Sequence, residues 1–193
     1  MVAVDCGLGG LRVAVFKAAL CPLCAPGPQR LLALGMLLAG LMGCAQSRAQ
    51  SWQGVVVHVT DGDTVYIRAA PGPGPAVAVR LLGLDAPEIC QAGGPAARDA
   101  LRRWVLLQRV TVEGHGQDSF GRELAQLYLQ GLDVGRAMVA QGHAWAERQA
   151  GPGPSYEQEQ RQARQDRLGL FAQAQPEPPR AFRRRHGPCH PGP

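Results

Sequence analysis

Four carboxylates and one arginine stand close together near the middle of the 193-residue chain. Asp61 and Asp63 flank a glycine, Arg80 follows in the next apolar segment, and Asp85 and Glu88 come directly after it. Gathering these charges is costly unless a cation or an anionic ligand compensates them. Carboxylate oxygens suit hard cations such as Ca²⁺, and arginine suits anions with two oxygens to engage. The residue types therefore indicate a site for chemistry on an anion.

A hairpin is predicted to position the first pair of carboxylates. Two runs with a period of two are present: valines at 55, 57 and 59 alternate with Val56, His58 and Thr60, and apolar residues recur at 65, 67 and 69. The Asp61-Gly62 pair lies between the two runs. An Asp-Gly pair in this setting is a strong hairpin signal, because glycine accepts a positive φ. We therefore expect Asp61 and Asp63 at the tip of a hairpin.

A third strand is predicted over residues 76–84, after a proline- and glycine-rich surface loop at residues 71–75. In a regular strand Arg80 and Asp85 would lie on opposite faces. Gly83 offers a bend between them that could bring both side chains to one site. The sequence thus predicts a bend at Gly83.

The later segments complete a small α+β fold. Helical spacing predicts helices over residues 95–108, with Trp104 in the core, and over 132–141, closed by Gly142; a polar helix is expected over 155–167, with Ser155 as its N-cap. Two further strands are predicted over residues 110–113 and 123–129. Five short strands with about three helices favour a mainly β fold, a closed five-stranded barrel, over a sandwich.

The chain divides by composition into a leader at 1–49, a central domain at 50–173 and a tail at 174–193. Residues 31–45 are apolar but too short for a membrane span of about 20 residues, which is typical of a secretory signal, although a buried core helix has a similar length. Two cleavage schemes stay open: one after Ala49, and one at a lipoprotein box that would leave a lipidated Cys44. Residues 1–29 form a longer segment than usually precedes the apolar part of a secretory signal, which is consistent with an over-extended start codon.

The tail is rich in proline, arginine and glycine and is predicted to be disordered. The formal charge is +5, yet residues 51–175 carry 12 Arg against 13 Asp and Glu, so the excess lies in the leader and the tail. Net charge therefore does not identify a partner. Cys90 and Cys189 could pair in an oxidising compartment, or Cys90 could stay a free thiol. His186, Cys189 and His190 are weak candidates for adventitious metal binding.

Each feature also has a structural explanation. The Asp61 to Asp63 turn could be a hairpin without a ligand, Arg80 and Arg122 could be ion-pair partners, and Glu88 could cap a loop. An EF-hand is excluded, because the loop has neither its glycine nor its final glutamate.

Three motifs taken together resemble the staphylococcal nuclease (thermonuclease) family. They are residues 59–64 (VTDGDT), 79–88 (VRLLGLDAPE) and 118–125 (DSFGRELA), followed by residues 139–144 (VAQGHA). The resemblance extends over residues 52–172 and implies an OB-fold barrel that carries a calcium-dependent phosphodiesterase site.

The resemblance also implies roles for individual residues. Asp63 and Asp85 would bind Ca²⁺ through their carboxylates, Ala86 through its backbone carbonyl, and Asp61 would lie nearby. Glu88 would hold or activate the attacking water, and Arg80 and Arg122 would hold the scissile phosphate. Hard oxygen ligands suit Ca²⁺, and arginine forks stabilise the charge that develops on phosphoryl oxygens.

Some positions depart from the family pattern. Ala86 stands where threonine is frequent, and Ser119 and Phe120 stand where lysine and tyrosine contact the nucleotide. The tyrosines that flank the base are absent, with Trp145 or Tyr156 as imperfect substitutes. A base preference therefore does not follow from the sequence.

The expected function is an exported, monomeric Ca²⁺-dependent nuclease that acts on DNA and RNA with little sequence preference and needs no protein partner. Membrane association is expected only if Cys44 is lipidated. The alternative is a catalytically silent OB-fold module that binds nucleic acid or protein.

Overall fold

The computed structural model describes residues 50–147, 153–187 and 189. The predicted leader, its cleavage sites and Cys44 lie outside these residues. Eight strands are found within the described ranges, and they are listed here in chain order. They are β1 (Gln50–Val59), β2 (Thr64–Ala69), β3 (Ala76–Leu81), β4 (Leu84–Asp85), β5 (Arg109–Gln117), β6 (Glu123–Leu129), β7 (Leu132–Asp133) and β8 (Trp145–Ala146).

Five of these strands form a closed barrel. The order β3-β2-β1-β5-β6 is antiparallel between neighbours, and a parallel pairing of β3 with β6 closes the ring. In that pairing Arg80 is opposite Leu124. The mainly β class and the five-stranded barrel predicted from the sequence are therefore confirmed, and the topology is that of an OB-fold.

Alternation along the strands fills the barrel. Inward positions such as Val56, Ile67, Val79, Val112 and Leu127 are completely buried. Since side chains of a strand point to alternate faces, the intervening residues face outward or toward the site. The core is thus built from the valine-rich runs that predict the strands.

Four α-helices and one 3-10 helix surround the barrel in the described residues. They are α1 (Gly94–Val105), α2 (Val134–Ala140), α3 (Glu157–Gln165), the 3-10 helix (Gly169–Ala172) and α4 (Pro179–His186).

Helices α1 and α2 follow their sequence signals closely. α1 buries Ala97, Leu101 and Val105, which are spaced one helical turn apart, and Trp104 packs against the core from a half-buried position. α2 is capped by Asp133, whose side chain accepts a hydrogen bond from the Arg136 amide. The prediction that Gly142 closes this helix is confirmed by its φ of 71°.

Two local predictions are wrong. The third strand ends at Leu81 rather than at residue 84, because the chain turns at Gly83 before the short strand β4. The third helix begins after Tyr156, which makes no side-chain capping bond, so Ser155 is not its N-cap. Tyr156 is instead drawn into the core, where its hydroxyl lies 2.9 Å from Asp133 Oδ2.

The prediction of a disordered tail is wrong for Pro179–His186, which form helix α4. Composition misses this helix because its anchors are distant in sequence. Cys189 forms a disulfide with Cys90, with a Cα–Cα distance of 5.9 Å, and Arg183 makes ion pairs with Asp85 and Glu88. The question of whether Cys90 is paired is thereby answered, and Cys189 is not available as a metal ligand. No helix in the described ranges is long and apolar enough to cross a membrane.

Candidate active site

An open cleft of about 650 Å³ lies beside the barrel, where the hairpin tip, the end of β3 and the turn before β6 meet. Its lining is mostly charged. The lining residues are Asp61, Asp63, Arg80, Ala86, Pro87, Glu88, Phe120, Arg122 and Arg183.

The hairpin tip between β1 and β2 positions Asp61 and Asp63. The Asp61 side chain accepts a hydrogen bond of 3.0 Å from the Asp63 amide, and the Thr60 amide donates to the Thr64 carbonyl at 3.0 Å. These bonds stabilise the turn locally, as aspartate does in many turns. The predicted location of both aspartates at the tip is confirmed.

The reason for glycine at position 62 differs from the expectation. Gly62 does not have a positive φ. A Cβ placed there would lie 2.6 Å from the Cβ of Ala86 and 2.7 Å from the Cβ of Ala97. The glycine is therefore required by close packing of the hairpin tip on helix α1 and on the segment after β4.

The turn at Gly83 brings the second group of charges to the first. Gly83 has a φ of 81°, which only glycine adopts readily, and β4 begins at the next residue. As a result the Arg80 guanidinium donates to Asp63 Oδ1 through Nη1 and lies 3.3 Å from Asp85 Oδ1 through Nη2. The predicted convergence of Arg80, Asp63 and Asp85 is thus confirmed.

Asp63 is held from several sides. It is 3% exposed, and it accepts hydrogen bonds from the Thr64 hydroxyl at 3.0 Å and from the Ala86 amide at 2.9 Å as well as from Arg80. Buried carboxylates need such partners, because an unpaired charge inside a protein is costly. These contacts fix the orientation of the carboxylate within the cleft.

The crowding of carboxylates has an electrostatic consequence. Burial first, and then repulsion by Asp63, raise the pKa of Asp61 from 3.8 to about 7. Burial alone would lower the pKa of Arg80, but the carboxylates of Asp63 and Asp85 outweigh it and raise that pKa above its ordinary value. The cleft thus combines a crowded group of carboxylates with a fixed cation, the Arg80 guanidinium.

Arg122 approaches the cleft from the turn before β6. Its Nε donates to Asp118 Oδ2 at 2.8 Å, and its Nη1 lies 3.4 Å from the Thr64 hydroxyl. Asp118 Oδ1 also accepts from the Arg122 and Phe120 amides, at 3.0 and 2.9 Å. Asp118 therefore both builds the turn and aims the guanidinium. No role is predicted for Asp118 from the sequence, although an aspartate three residues before a glycine is a turn signal.

Glu88 contacts Arg183, which belongs to the tail that composition predicts to be disordered. Its Oε1 accepts from Arg183 Nη1 at 2.9 Å, and the same guanidinium binds both oxygens of Asp85, at 3.0 and 2.9 Å. The only signal in the sequence was the arginine run itself, which is more often a solvated surface.

The residues present fit a hard divalent cation whose shell is completed by water and substrate. In the described part of the chain no group of three or more His, Cys, Asp or Glu is placed to hold a metal alone. Asp63 and Asp85 are nevertheless buried, with 3% and 6% exposure, and both contact the guanidinium of Arg80. Two carboxylates are sufficient where water and phosphate oxygens supply the remaining ligands. Ala86 contributes its amide to Asp63, and its carbonyl remains a predicted ligand.

The aromatic residues are arranged differently from the expectation. Tyr156 is 1% exposed in the core, and Trp145 packs edge-on against Phe171 with ring centroids 5.1 Å apart. Neither lines the cleft. Phe120 does, with 83% exposure, and the guanidinium of Arg122 lies 5.5 Å from its ring centre. Phe120 is therefore the aromatic surface that a base could meet.

Comparison with known proteins gives consistent matches. A family model described as staphylococcal nuclease homologue matches residues 78–173. An uncharacterized endonuclease of Escherichia coli is 38% identical over 133 residues, covering 68% of this chain and 85% of that protein. An uncharacterized endonuclease of Haemophilus influenzae is 36% identical over 129 residues, covering 67% and 71%. A micrococcal nuclease of Shigella flexneri is 34% identical over 145 residues, covering 69% and 81%.

Proposed function

The chain belongs to the staphylococcal nuclease family, and on that premise we propose that it is an exported, Ca²⁺-dependent nuclease that hydrolyses DNA and RNA with low sequence specificity. Membership of this family and the relatives named as endonucleases show that the chain is a nuclease that acts on nucleic acid. The observation that supports this proposal is that Asp63 and Arg80 line one cleft with Glu88 and Arg122, while Asp85 contacts the same Arg80 guanidinium.

In this proposal the two cleft arginines hold the phosphodiester. Arg80 and Arg122 engage its non-bridging oxygens, which gain negative charge as the water attacks. Arginine suits this role because its planar fork can bind two oxygens at once and stays charged at every working pH. Asp118 keeps Arg122 directed at the cleft, at 2.8 Å from its Nε.

Glu88 is the proposed general base. It takes a proton from water while the water oxygen bonds to phosphorus, the ester P–O bond breaks, and the leaving oxygen takes its proton from solvent. Glu88 lines the cleft directly after Pro87 and shares the Arg183 guanidinium with Asp85. A general base contributes about 10²- to 10⁴-fold to such a step.

Asp63 and Asp85 are the proposed Ca²⁺ ligands, with the Ala86 carbonyl as a third and Asp61 nearby. When bound, the ion would supply Lewis-acid polarisation of the phosphate and neutralise developing charge. Gathering these carboxylates is costly, as the raised pKa of Asp61 reflects, and that cost favours cation binding.

Low sequence specificity is consistent with the lining of the cleft. Phe120 offers an exposed ring, and stacking on a ring tolerates every base. The arginines address phosphate, which carries no sequence information. A monomer suffices in this proposal, since one chain supplies the whole lining.

Export is supported by two independent features. Residues 31–45 have the proportions of a secretory signal, and the Cys90–Cys189 disulfide is of a kind that persists in oxidising compartments. Release after Ala49 and lipidation at Cys44 are the two forms of this proposal. They predict different masses for the mature protein.

The decisive experiment measures cleavage of single-stranded DNA, duplex DNA and RNA by the exported, oxidised protein, with Ca²⁺ or with a chelator. We expect Ca²⁺-dependent cleavage, which Glu88→Gln and Arg122→Ala each lower by about 10²- to 10³-fold. Arg68→Ala, an exposed arginine on β2, is the matched control and should cleave normally.

Two results would contradict the mechanism: cleavage that persists in chelator, and full activity of both site variants. Binding of nucleic acid by the wild type without any cleavage would instead support the alternative, a catalytically silent OB-fold module.

A further inference from the structure

Arg183 joins two carboxylates that the proposed reaction uses. Its Nη1 lies 3.0 Å from Asp85 Oδ1 and 2.9 Å from Glu88 Oε1, while its Nη2 lies 2.9 Å from Asp85 Oδ2. One planar guanidinium therefore fixes both the distance and the relative orientation of the two groups. Hydrogen bonds between charged groups with this two-pronged geometry are among the strongest in proteins.

Helix α4, which carries Arg183, is anchored to the loop that follows Glu88. Gln91 is 4% exposed; its Oε1 accepts from the Glu88 amide at 3.2 Å, and its Nε2 donates to the Glu177 carbonyl at 2.8 Å. On the other side of the helix Cys189 is bonded to Cys90. The segment before α4 and the segment after it are thus both attached to residues 90 and 91, close to Glu88.

The contacts differ from those expected of a solvated basic tail. Arg183 is half-buried and lines the cleft, whereas its neighbours Arg184 and Arg185 are exposed. Arg185 pairs with Glu177 within the tail itself. Only Arg183 among these three lines the cleft, so its placement requires a separate explanation.

We propose that Arg183 is a positioning residue for phosphodiester hydrolysis, holding Glu88 beside Asp85, and that the Cys90–Cys189 disulfide keeps it there. This inference rests on the proposed function of the same cleft. The guanidinium binds Oε1 of Glu88, so Oε2 is the oxygen that takes the proton from water. Without Arg183 the Glu88 carboxylate would sample several rotamers, and only some of them would meet the water.

The same contacts could instead mean that Arg183 competes with the divalent ion for Asp85. The two explanations predict opposite effects of Arg183→Ala. Removing a positioning residue lowers kcat. Removing a competitor tightens Ca²⁺ binding and leaves kcat the same or higher. Calorimetric titration of Ca²⁺ into the wild type and the variant separates them without any measurement of activity.

The test uses the full exported protein, with Arg183→Ala, Arg183→Lys and the matched control Arg184→Ala on the exposed face of the same helix. We expect Arg183→Ala to lower kcat about 10- to 100-fold, as removal of groups that orient site residues does. KM should change less than kcat, Arg183→Lys should restore part of the loss, and Arg184→Ala should match the wild type. Added ethylguanidinium should raise kcat of Arg183→Ala, because it replaces the missing guanidinium, and should not raise kcat of the wild type or of Arg184→Ala.

The disulfide is tested by Cys189→Ser and by reduction of the wild type. Both should lower kcat, as Arg183→Ala does. Adding Cys189→Ser to Arg183→Ala should cause little further loss of kcat, because both changes remove the same contact between Arg183 and Glu88. Thermal melts confirm that each variant is folded at the assay temperature. If Arg183→Ala fails to fold, Cys189→Ser and Arg183→Lys carry the test.

The outcomes separate the inference from its premise. A wild type that cleaves and an Arg183→Ala variant that cleaves equally well would overturn the inference alone. Tighter Ca²⁺ binding by Arg183→Ala with undiminished kcat would also overturn it, in favour of a competitor. A wild type that cleaves no nucleic acid would overturn the proposed function, and the inference with it.

Discussion

Among the carboxylates of the cleft, Asp61 shows most clearly the electrostatic cost of placing them close together. It lies next to Asp63 on a tight turn, and the Arg80 guanidinium is held by Asp63 and Asp85 rather than by Asp61. Burial and the repulsion by Asp63 favour its protonated form and raise its pKa to about 7. An ordinary aspartate would be ionised well below that pH. Asp61 therefore reports on the burial and mutual repulsion of the carboxylates in the cleft.

The pH dependence of Asp61→Asn tests this account. A carboxylate whose pKa is raised on folding, here from 3.8 to about 7, favours the folded state below pH 4, and this contribution is lost as the pH rises toward 7. In chelator, Asp61→Asn should match the wild type near pH 4 and be more stable by about 1–2 kcal/mol at pH 8, allowing for partial screening. Urea unfolding at both pH values measures the difference.

Asparagine keeps the side-chain oxygen that accepts from the Asp63 amide, so the turn itself is preserved in this variant. A stability difference that is the same at pH 4 and pH 8 would contradict the electrostatic explanation. Saturating Ca²⁺ should reduce the advantage of the variant, because a bound cation relieves the same repulsion in the wild type.

Sequence reasoning at the residue level succeeded where chemistry follows from local spacing. Asp63, Asp85 and Arg80 converge as their spacing predicts, and Glu88 and Arg122 line the same cleft; their catalytic roles remain predictions. Arg183 and Asp118 were missed for different reasons. Asp118 acts within a recognisable turn, whereas Arg183 contacts residues 95 and 98 positions earlier in the chain, and no local pattern encodes such a contact.

At the level of elements, the hairpin between β1 and β2 is positioned by packing as much as by its turn. The hairpin was predictable, since alternation and the Asp-Gly pair are local signals. The role of Gly62 was not, because it depends on Ala86 and Ala97, which approach from elsewhere in the chain. The start of the third helix was not predictable for the same reason. It begins after Tyr156 rather than at Ser155, because the Tyr156 hydroxyl is bonded to Asp133, which is distant in sequence.

Gly62→Ala should therefore disturb both stability and the site. A Cβ at 2.6 and 2.7 Å from two alanine Cβ atoms forces the hairpin tip away from α1, and overpacking of this kind costs about 1–3 kcal/mol. Cleavage and Ca²⁺ affinity should fall as well, because Asp61 and Asp63 move with the tip. Denaturant unfolding and calorimetry measure the two effects.

Gly74→Ala provides the control for this prediction. Gly74 lies in the exposed loop between β2 and β3, and a Cβ there would meet nothing within 4 Å. That variant should be neutral or slightly more stable, by less than about 1 kcal/mol. Equal stability of Gly62→Ala and Gly74→Ala would refute the packing argument.

On the scale of the whole molecule, residues 174–187 of the tail and Cys189 are part of the folded domain. Composition alone predicts disorder after residue 173, since proline, arginine and glycine bury little apolar surface. Helix α4 is held instead by one covalent bond and by ion pairs to distant residues. Long-range constraints of this type leave no periodicity in the sequence, which explains why the barrel was predictable and the tail was not.

Loss of the Cys90–Cys189 disulfide should destabilise the whole domain. The bond links residues 99 positions apart, and closing a loop of that size restricts the unfolded chain considerably. We expect reduction, or Cys189→Ser, to lower the free energy of unfolding by about 2–4 kcal/mol in urea. A reducing agent should have no further effect on Cys189→Ser, and an unchanged midpoint on reduction of the wild type would contradict the prediction.

The parallel seam between β3 and β6 has a consequence for how the nuclease loses activity. Arg80 lies on β3 opposite Leu124, and Arg122 directly precedes β6, so the hydrogen-bond register of the seam sets the span between the two guanidinium groups. Neither arginine is carried by a lid that could move away while the barrel stays folded. Phosphate binding should therefore have no melting transition of its own: on heating, it should disappear at the temperature at which the ring of strands opens.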